Sequence, residues 1–414
     1  MIKQKISLVG RGYWLPFVLI TFFFFLWGFT RAILDVLNPF FQESFRINKT
    51  QASLIQFVTY LAYFVMAIPA GILIRRHGTR HGVVVGLIAF GGAALAFVLS
   101  RFFGEHIFYF YLLLLFVIGC GLACLEVAAN PYVTLLGEQE TAASRINRAQ
   151  SFNGLGCILG SLLGGAYCFS TDAPNISAPY IVIGLVVLVI AVLFSRVKLP
   201  EFVMDDAKTD VELKPRGLMR RPMFIFGLVA LFCYEIAEIA INSFFINYAT
   251  ENNMAQWLSE AIDSVWGMKL NYNFIASIVL SVGLFLFMLG RFAGSWVMGF
   301  VKAEKVLLIC AVGTVATSGL VVMDIHIVSF VASILIFVFE SIMFPTIFAL
   351  SIKGLGSLTQ KASAVLMMTP IGGAVGTVLM GMAADHRDMT FSFLVPLLAF
   401  IVILAYSTIK KLFV

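Results

Sequence analysis

The sequence predicts an all-α integral membrane protein with twelve transmembrane helices in two pseudo-symmetric six-helix bundles. Three observations predict it. First, 60% of the 414 residues are hydrophobic and 12% are charged, a composition foreign to ordinary soluble domains. Second, the apolar runs are long enough to cross a bilayer as helices, which takes about 20 residues each. Third, one polar signature is written twice, which indicates two homologous halves.

The first copy is GCGLACLEVAANPYVTLLG, Gly119 to Gly137, with Glu126, Asn130 and Pro131 inside an apolar run. The second is FVFESIMFPTIFALSIKGLG, Phe337 to Gly356, where Glu340 stands five residues before Pro345, as Glu126 does before Pro131. Glycine-spaced runs follow both copies, at Gly156, Gly160 and Gly165 and at Gly372, Gly376 and Gly381. The displacement is 214 residues at the glutamates and prolines and 216 at the glycines. Paired halves carrying intramembrane polar groups are the mark of secondary transporters.

The elements follow in order. Twelve spans are expected at 13–40, 50–74, 82–101, 107–136, 146–170, 178–197, 221–249, 272–300, 305–323, 326–354, 361–384 and 390–411. With the N-terminus in the cytoplasm, nearly all Lys and Arg fall on the cytoplasmic side. Only Arg46, Lys49, Arg101, Lys269 and Arg387 lie in outer loops, and Arg31 stays inside the first span. Both termini are therefore expected in the cytoplasm. The polar stretch 199–220 reads as a cytoplasmic linker between a first bundle, 1–198, and a second, 221–414. Glu251 to Lys269, with Trp257 and Trp266, reads as a short outer interfacial helix.

The net charge of +6 sits in loops that set topology and does not suggest nucleic-acid binding. Six single cysteines lie within apolar segments, so neither a disulfide framework nor a metal site is expected. No cofactor is implied. With no nucleophile–base set or metal cluster, the sequence does not read as an enzyme.

The candidate chemistry lies in the intramembrane acids Asp35, Glu126, Glu235, Glu238 and Glu340. A charge at bilayer depth costs roughly 2.5–3.5 kcal/mol on insertion scales, so each is a candidate for function. Burial favours the protonated form of a carboxyl, which lets it load and unload a proton. Asp35 follows Arg31 by one helical turn, which reads as a proton site or as a neutralising pair. Glu126 has Asn130 one turn on and no basic residue within a turn of its own helix. Glu238 shares a face with Asn242, and Glu235 lies one turn before Glu238. Glu340 reads as a ligand group or as an interhelical hydrogen-bond donor. Gln150 and Asn153 offer donors and acceptors that suit sugar hydroxyls or helix-to-helix bonding. Trp27, two turns before Asp35, is the preferred stacking residue.

FFFFLWGFTRAILDVLNPFFQ, QASLIQFVTYLAYFVMAIPAGIL, GCGLACLEVAANPYVTLLG, RINRAQSFNGLGCILGSLLGG and MFPTIFALSIKGLG together resemble the L-fucose:proton symporter family of the major facilitator superfamily. That family includes glucose/galactose and amino-sugar permeases. The loops GILIRRHGTRHG and GRFAGSWVMGFVKAEK resemble the superfamily's structural loops between the second and third helices of each half. The resemblance implies proton coupling and sugar binding at Asp35 and Glu126, with Gln150 and Asn153 matching family amides. Substrate contacts are expected at Asp35, Glu126, Asn130, Gln150, Asn153, Trp27, Glu238, Asn242 and Glu340. It implies a monomeric bacterial inner-membrane symporter that takes up a monosaccharide with protons by alternating access. Where the family's permease has asparagines before its span-one aspartate, this chain reads Arg31, Ala32, Ile33 and Leu34. In span seven Glu238 replaces a glutamine and Asn242 a tryptophan, and Glu340 is an added acid. These departures leave open another hexose, an amino sugar or a different coupling arrangement. A uniporter, a sodium-coupled carrier and an exporter of drugs or metabolites are the alternatives on the same fold.

Overall fold

The computed structural model describes residues 9–412 apart from 11, 138–141, 171–174, 176, 197–217, 299, 354 and 356–357. Among the described residues the first half contains α1 (Trp14–Phe45), α2 (Lys49–Ala52), α3 (Leu54–His77), α4 (Thr79–Ala96), α5 (Ile107–Leu135), α6 (Ala142–Ser170) and α7 (Ser177–Arg196). The second half contains α8 (Pro222–Glu251), α9 (Met254–Trp266), α10 (Tyr272–Val297), α11 (Ala303–Val322), α12 (His326–Glu340) and α13 (Met343–Ile352). It ends with α14 (Thr359–Leu366), α15 (Ile371–His386), α16 (Met389–Ser392) and α17 (Leu394–Leu412). Among the described residues eleven helical stretches are long and apolar enough to cross a membrane, and they coincide with eleven of the twelve expected spans.

The exception is 361–384, built as α14 and α15 with a break at residues 367–370. Proline explains it. Pro370 has no amide hydrogen for the Leu366 carbonyl, and its ring crowds that carbonyl. The Thr369 hydroxyl donates to the same oxygen at 2.7 Å instead. The span carrying Glu340 is broken likewise, between α12 and α13. Pro345 cannot serve the carbonyl of Ser341, and Arg291 Nε donates to it at 3.2 Å. The Arg291 expected to be structural is therefore a backbone-satisfying residue beside Glu340. Broken membrane helices persist only where such partners re-satisfy the freed groups. The copy with Glu126 and Pro131 remains one continuous helix, α5.

By packing, the described residues fall into two compact units. The first takes in those of Met1–Ala32, Val58–Gly160 and Ala173–Lys208, the second those of Ile33–Phe57, Ser161–Asp172 and Thr209–Val414. The division crosses α1, α3 and α6, whereas the sequence places its boundary in the linker 199–220, most of which lies outside the described residues.

In the first unit α4 packs against α5 and α7. α7 is apolar all round. Tyr180, Ile183, Val187, Ile190 and Phe194 are buried, while Val182, Leu185, Val189 and Val192 remain exposed as a lipid-facing stripe would be. In the second unit α8 is the hub, packed by α10, α13, α15 and α17. Its residues Ile239 to Ala249 are buried without interruption. The short α2 is capped by Asn48 and held against α15 by Asp385. That carboxylate accepts from the Lys49 and Thr50 amides at 3.0 and 2.8 Å and from the Thr50 hydroxyl at 2.6 Å. The expected interfacial helix is α9, with Trp257 and Trp266 exposed.

Equivalent glycines do equivalent work in the two units. A methyl group at Gly156 would collide with the Phe25 carbonyl of α1, and one at Gly160 with the Phe29 carbonyl. A methyl at Gly372 would strike the Phe232 carbonyl of α8, and one at Gly376 the Ile236 carbonyl. Helices α6 on α1 and α15 on α8 thus meet backbone to backbone, which only glycine permits. The two pairs of contacts are displaced by 216 residues on the glycine side and 207 on the other. That regular offset is the twofold repeat expressed as packing.

Replacing Gly156 or Gly372 by Leu is expected to destabilise the purified protein by about 1–3 kcal/mol through overpacking. Thermal unfolding in detergent reads the effect. Gly319→Leu is the control, since nothing lies within 4 Å of a methyl at Gly319; an equal loss there would defeat the account.

Candidate functional site

In the first unit α1, α3 and α5 bring together Trp27, Arg31, Tyr63 and Glu126. Trp27 Nε1 donates to the Tyr63 hydroxyl at 2.7 Å. Glu126 is half-buried on α5, within electrostatic reach of both Arg31 and Tyr63. A basic partner for Glu126 thus comes from a different helix, which no spacing along α5 reveals. Trp27 presents an anchored indole, held edge-on by one hydrogen bond, as a rigid stacking surface requires.

The amides of α6 divide. Asn153 Nδ2 donates to the Phe24 carbonyl of α1 at 3.0 Å, so half of its amide ties one helix to another. Gln150 is half-buried one turn earlier. The Asn130 side chain lies outside the described residues, although its backbone is part of α5.

The second unit holds the other acids. Asp35, 4% exposed, accepts from Gln56 Nε2 of α3 at 2.8 Å. One turn on, Asn38 Nδ2 donates to both the carbonyl and the hydroxyl of Ser243 on α8, at 3.1 and 2.6 Å. Gln42 and Asn247 exchange a reciprocal pair of bonds at 3.0 and 3.3 Å. These bonds form a polar seam running along α1 and α8. Glu238 accepts from Asn242 Nδ2 at 3.4 Å. Glu235, Glu238, Glu340 and Arg291 all lie within electrostatic reach of the buried Tyr234. Glu340, fully buried, closes α12 beside the break.

The structure therefore gathers Trp27 and Glu126 in one unit, and Asp35, Glu238, Asn242 and Glu340 in the other. Two open clefts of the second unit contain none of these residues. One, of about 510 Å³, is lined by Met298, Glu304, Pro345 and Lys353. The other, of about 390 Å³, is lined by Gln42, Glu43, Asn247, Tyr272 and Asn273. Sequence reasoning missed Gln56, Asn38 and Ser243. Gln56 had a signal, being an amide in the apolar run LIQFVTYLAY. Ser243 had none, because a serine satisfies itself within any helix.

Buried carboxyls at Asp35 and Glu238, each met by an amide, on helices of a duplicated membrane fold define a secondary transporter. The model of the Major Facilitator Superfamily matches residues 20–368. The glucose/galactose transporter of Brucella abortus biovar 1 (strain 9-941) is 32% identical, over 96% of this chain and 95% of its own. The L-fucose-proton symporter of Escherichia coli (strain K12) is 32% identical, over 97% and 94%. The crystal structure of the E. coli fucose:proton symporter has a TM-score of 0.69 at 31% identity, covering 97% of this chain and 99% of its own. A D-xylose-proton symporter reaches 0.71 at 12% identity, over 96% and 95%, which bears on the fold alone. The chain belongs to the major facilitator superfamily and, within it, to the family of the fucose–proton symporter. It is a multi-pass membrane transporter and not an enzyme.

The Trp27–Tyr63 bond is expected to be worth about 0.5–1.5 kcal/mol. Thermal unfolding of Trp27→Phe, Tyr63→Phe and the double variant measures it as a cycle. Strict additivity of the two single losses would contradict the bond.

Proposed function

We propose that this protein takes up a monosaccharide with protons across a bacterial inner membrane. It works as a monomer with both termini in the cytoplasm, and its repeats are 1–198 and 221–414. The polar helices are exposed to each side of the membrane in turn. Asp35 and Glu126 carry the proton. Trp27, Asn130, Gln150, Asn153, Glu238, Asn242 and Glu340 contribute to binding the sugar, together with the two proton carriers.

One observation carries the reading. Asp35 is buried within a helix long and apolar enough to cross a membrane, with an amide donating to its carboxyl, in a chain whose relatives include an L-fucose-proton symporter. An intramembrane carboxyl of this kind is costly and is retained where it serves a path for ions or substrate. The sugar class is supported by the names of relatives matched over nearly their full length, a glucose/galactose transporter and a fucose symporter. The aromatic and amide side chains fit it, since a sugar offers C–H faces for stacking and hydroxyls for amides.

A specific observation favours a second reading, a cationic amino sugar. Three carboxyl groups lie within electrostatic reach of Tyr234 against one guanidinium, that of Arg291, among the described residues. An ammonium group would meet three carboxyl groups there, whereas a neutral hexose brings no charge for them to balance.

Purified protein in liposomes should alkalise the outer medium when L-fucose, D-galactose, D-glucose, N-acetylglucosamine or glucosamine is added, and the responding sugar names the substrate. Asp35→Asn should abolish accumulation against a gradient. Undiminished uphill uptake by that variant removes the proton role. Alkalisation by glucosamine alone selects the second reading.

A further inference from the structure

We propose that Gln56 binds the transported sugar directly, accepting a hydrogen bond from one substrate hydroxyl while it holds Asp35. The inference rests on the sugar reading above and assigns a contact residue to that site.

Gln56 is fully buried on α3. Its Nε2 donates to Asp35 Oδ1 at 2.8 Å. When Asp35 is ionised it only accepts, which fixes the end of the amide that faces it in that state: nitrogen towards Asp35, oxygen away. That oxygen, Oε1, is buried and meets no hydrogen-bond donor among the described residues. Leaving a buried acceptor unmet is unfavourable, and such atoms are rare in folded proteins. The chain keeps one next to its best candidate for proton transfer.

The same arrangement occurs once more in the second unit. Asn242, 4% exposed, directs Nδ2 to Glu238 Oε1 at 3.4 Å, and its Oδ1 also lacks a donor. Asn242 and Asp35 are displaced by 207 residues, the same interval that separates the glycine contacts on α8 from those on α1. Both amides thus give their nitrogen to an acid and leave an oxygen that needs a donor. A polyol supplies donors, one per hydroxyl. A hydroxyl bound to Oε1 polarises the amide and strengthens its N–H donation to Asp35, since linked hydrogen bonds reinforce each other. Through one side chain, guest and carboxyl sense each other.

The test is calorimetric binding to the purified full chain, using L-fucose, D-galactose, D-glucose and their monodeoxy analogues. Gln56→Leu should weaken binding of the parent sugar roughly tenfold. One monodeoxy analogue should be weakened similarly on the wild type and lose nothing further on Gln56→Leu. Gln56→Glu, of the same shape, still offers an acceptor and can hold Asp35 by sharing one proton with it; assayed at a pH where the pair keeps that proton, it should keep the discrimination against that analogue. If every analogue falls by one common factor in Gln56→Leu, the residue merely braces the helices and the proposal is overturned. Loss of discrimination in a folded Gln56→Glu overturns it as well, even where the leucine variant fails to fold. If none of the sugars binds the wild type, the sugar reading falls and this inference with it. Binding with an unchanged analogue profile removes Gln56 alone.

Discussion

Hydrocarbon offers no hydrogen bonds, so every polar group carried into a bilayer must find its partner inside the protein. That constraint organises this molecule. Asp35 is met by Gln56, Asn38 by Ser243, and Gln42 by Asn247. The carbonyls freed by Pro345 and Pro370 are met by Arg291 and Thr369. Where proline breaks a helix, a side chain closes the account. Among the buried polar groups left incompletely satisfied, Gln56 and Asn242 stand apart as amides that donate to an acid and keep an oxygen open to a donor.

Duplication supplies the scaffold for these partners. The glycines that seat α6 on α1 are matched by those that seat α15 on α8, each allowing backbone contact that a single methyl would prevent. Close approach of this kind compensates for the missing hydrophobic drive between helices in lipid. The copies have nevertheless diverged in the chemistry they hold. α5 carries its glutamate along an unbroken helix with a guanidinium in reach, whereas Glu340 ends a helix beside a break. The position of Asp35 in α1 is taken by an amide, Asn242, in α8. The first sequence half carries Asp35 and Glu126, and the second carries a denser group of acids about Tyr234.

The packing units do not follow the sequence halves. Ile33–Phe57 and Ser161–Asp172 are counted with the second unit because of specific contacts. Asn38 and Gln42 bond to α8, Asp385 clasps α2, and the Ser161 hydroxyl reaches the Ser277 carbonyl of α10 at 3.2 Å. The linker at 199–220 is read from charge and composition alone. It does not mark which side chains meet.

The sequence by itself determined the membrane class, the span order, the repeat and the list of acids, because burial in lipid imposes a composition that length and hydropathy report directly. It also singled out Asp35 and Glu126, since an acid in an apolar run is conspicuous in one dimension. It did not reveal the breaks within the spans 326–354 and 361–384, where an apolar run reads as one span but proline keeps it from hydrogen-bonding as one helix. Only the tertiary structure decided the partners: Gln56 for Asp35, Arg31 in reach of Glu126, Phe24 for Asn153, and the gathering of three glutamates about Tyr234. The physical reason is that a partner is chosen by distance between helices. Helix packing sets that distance through residues far apart in the chain, so no spacing within one span encodes it.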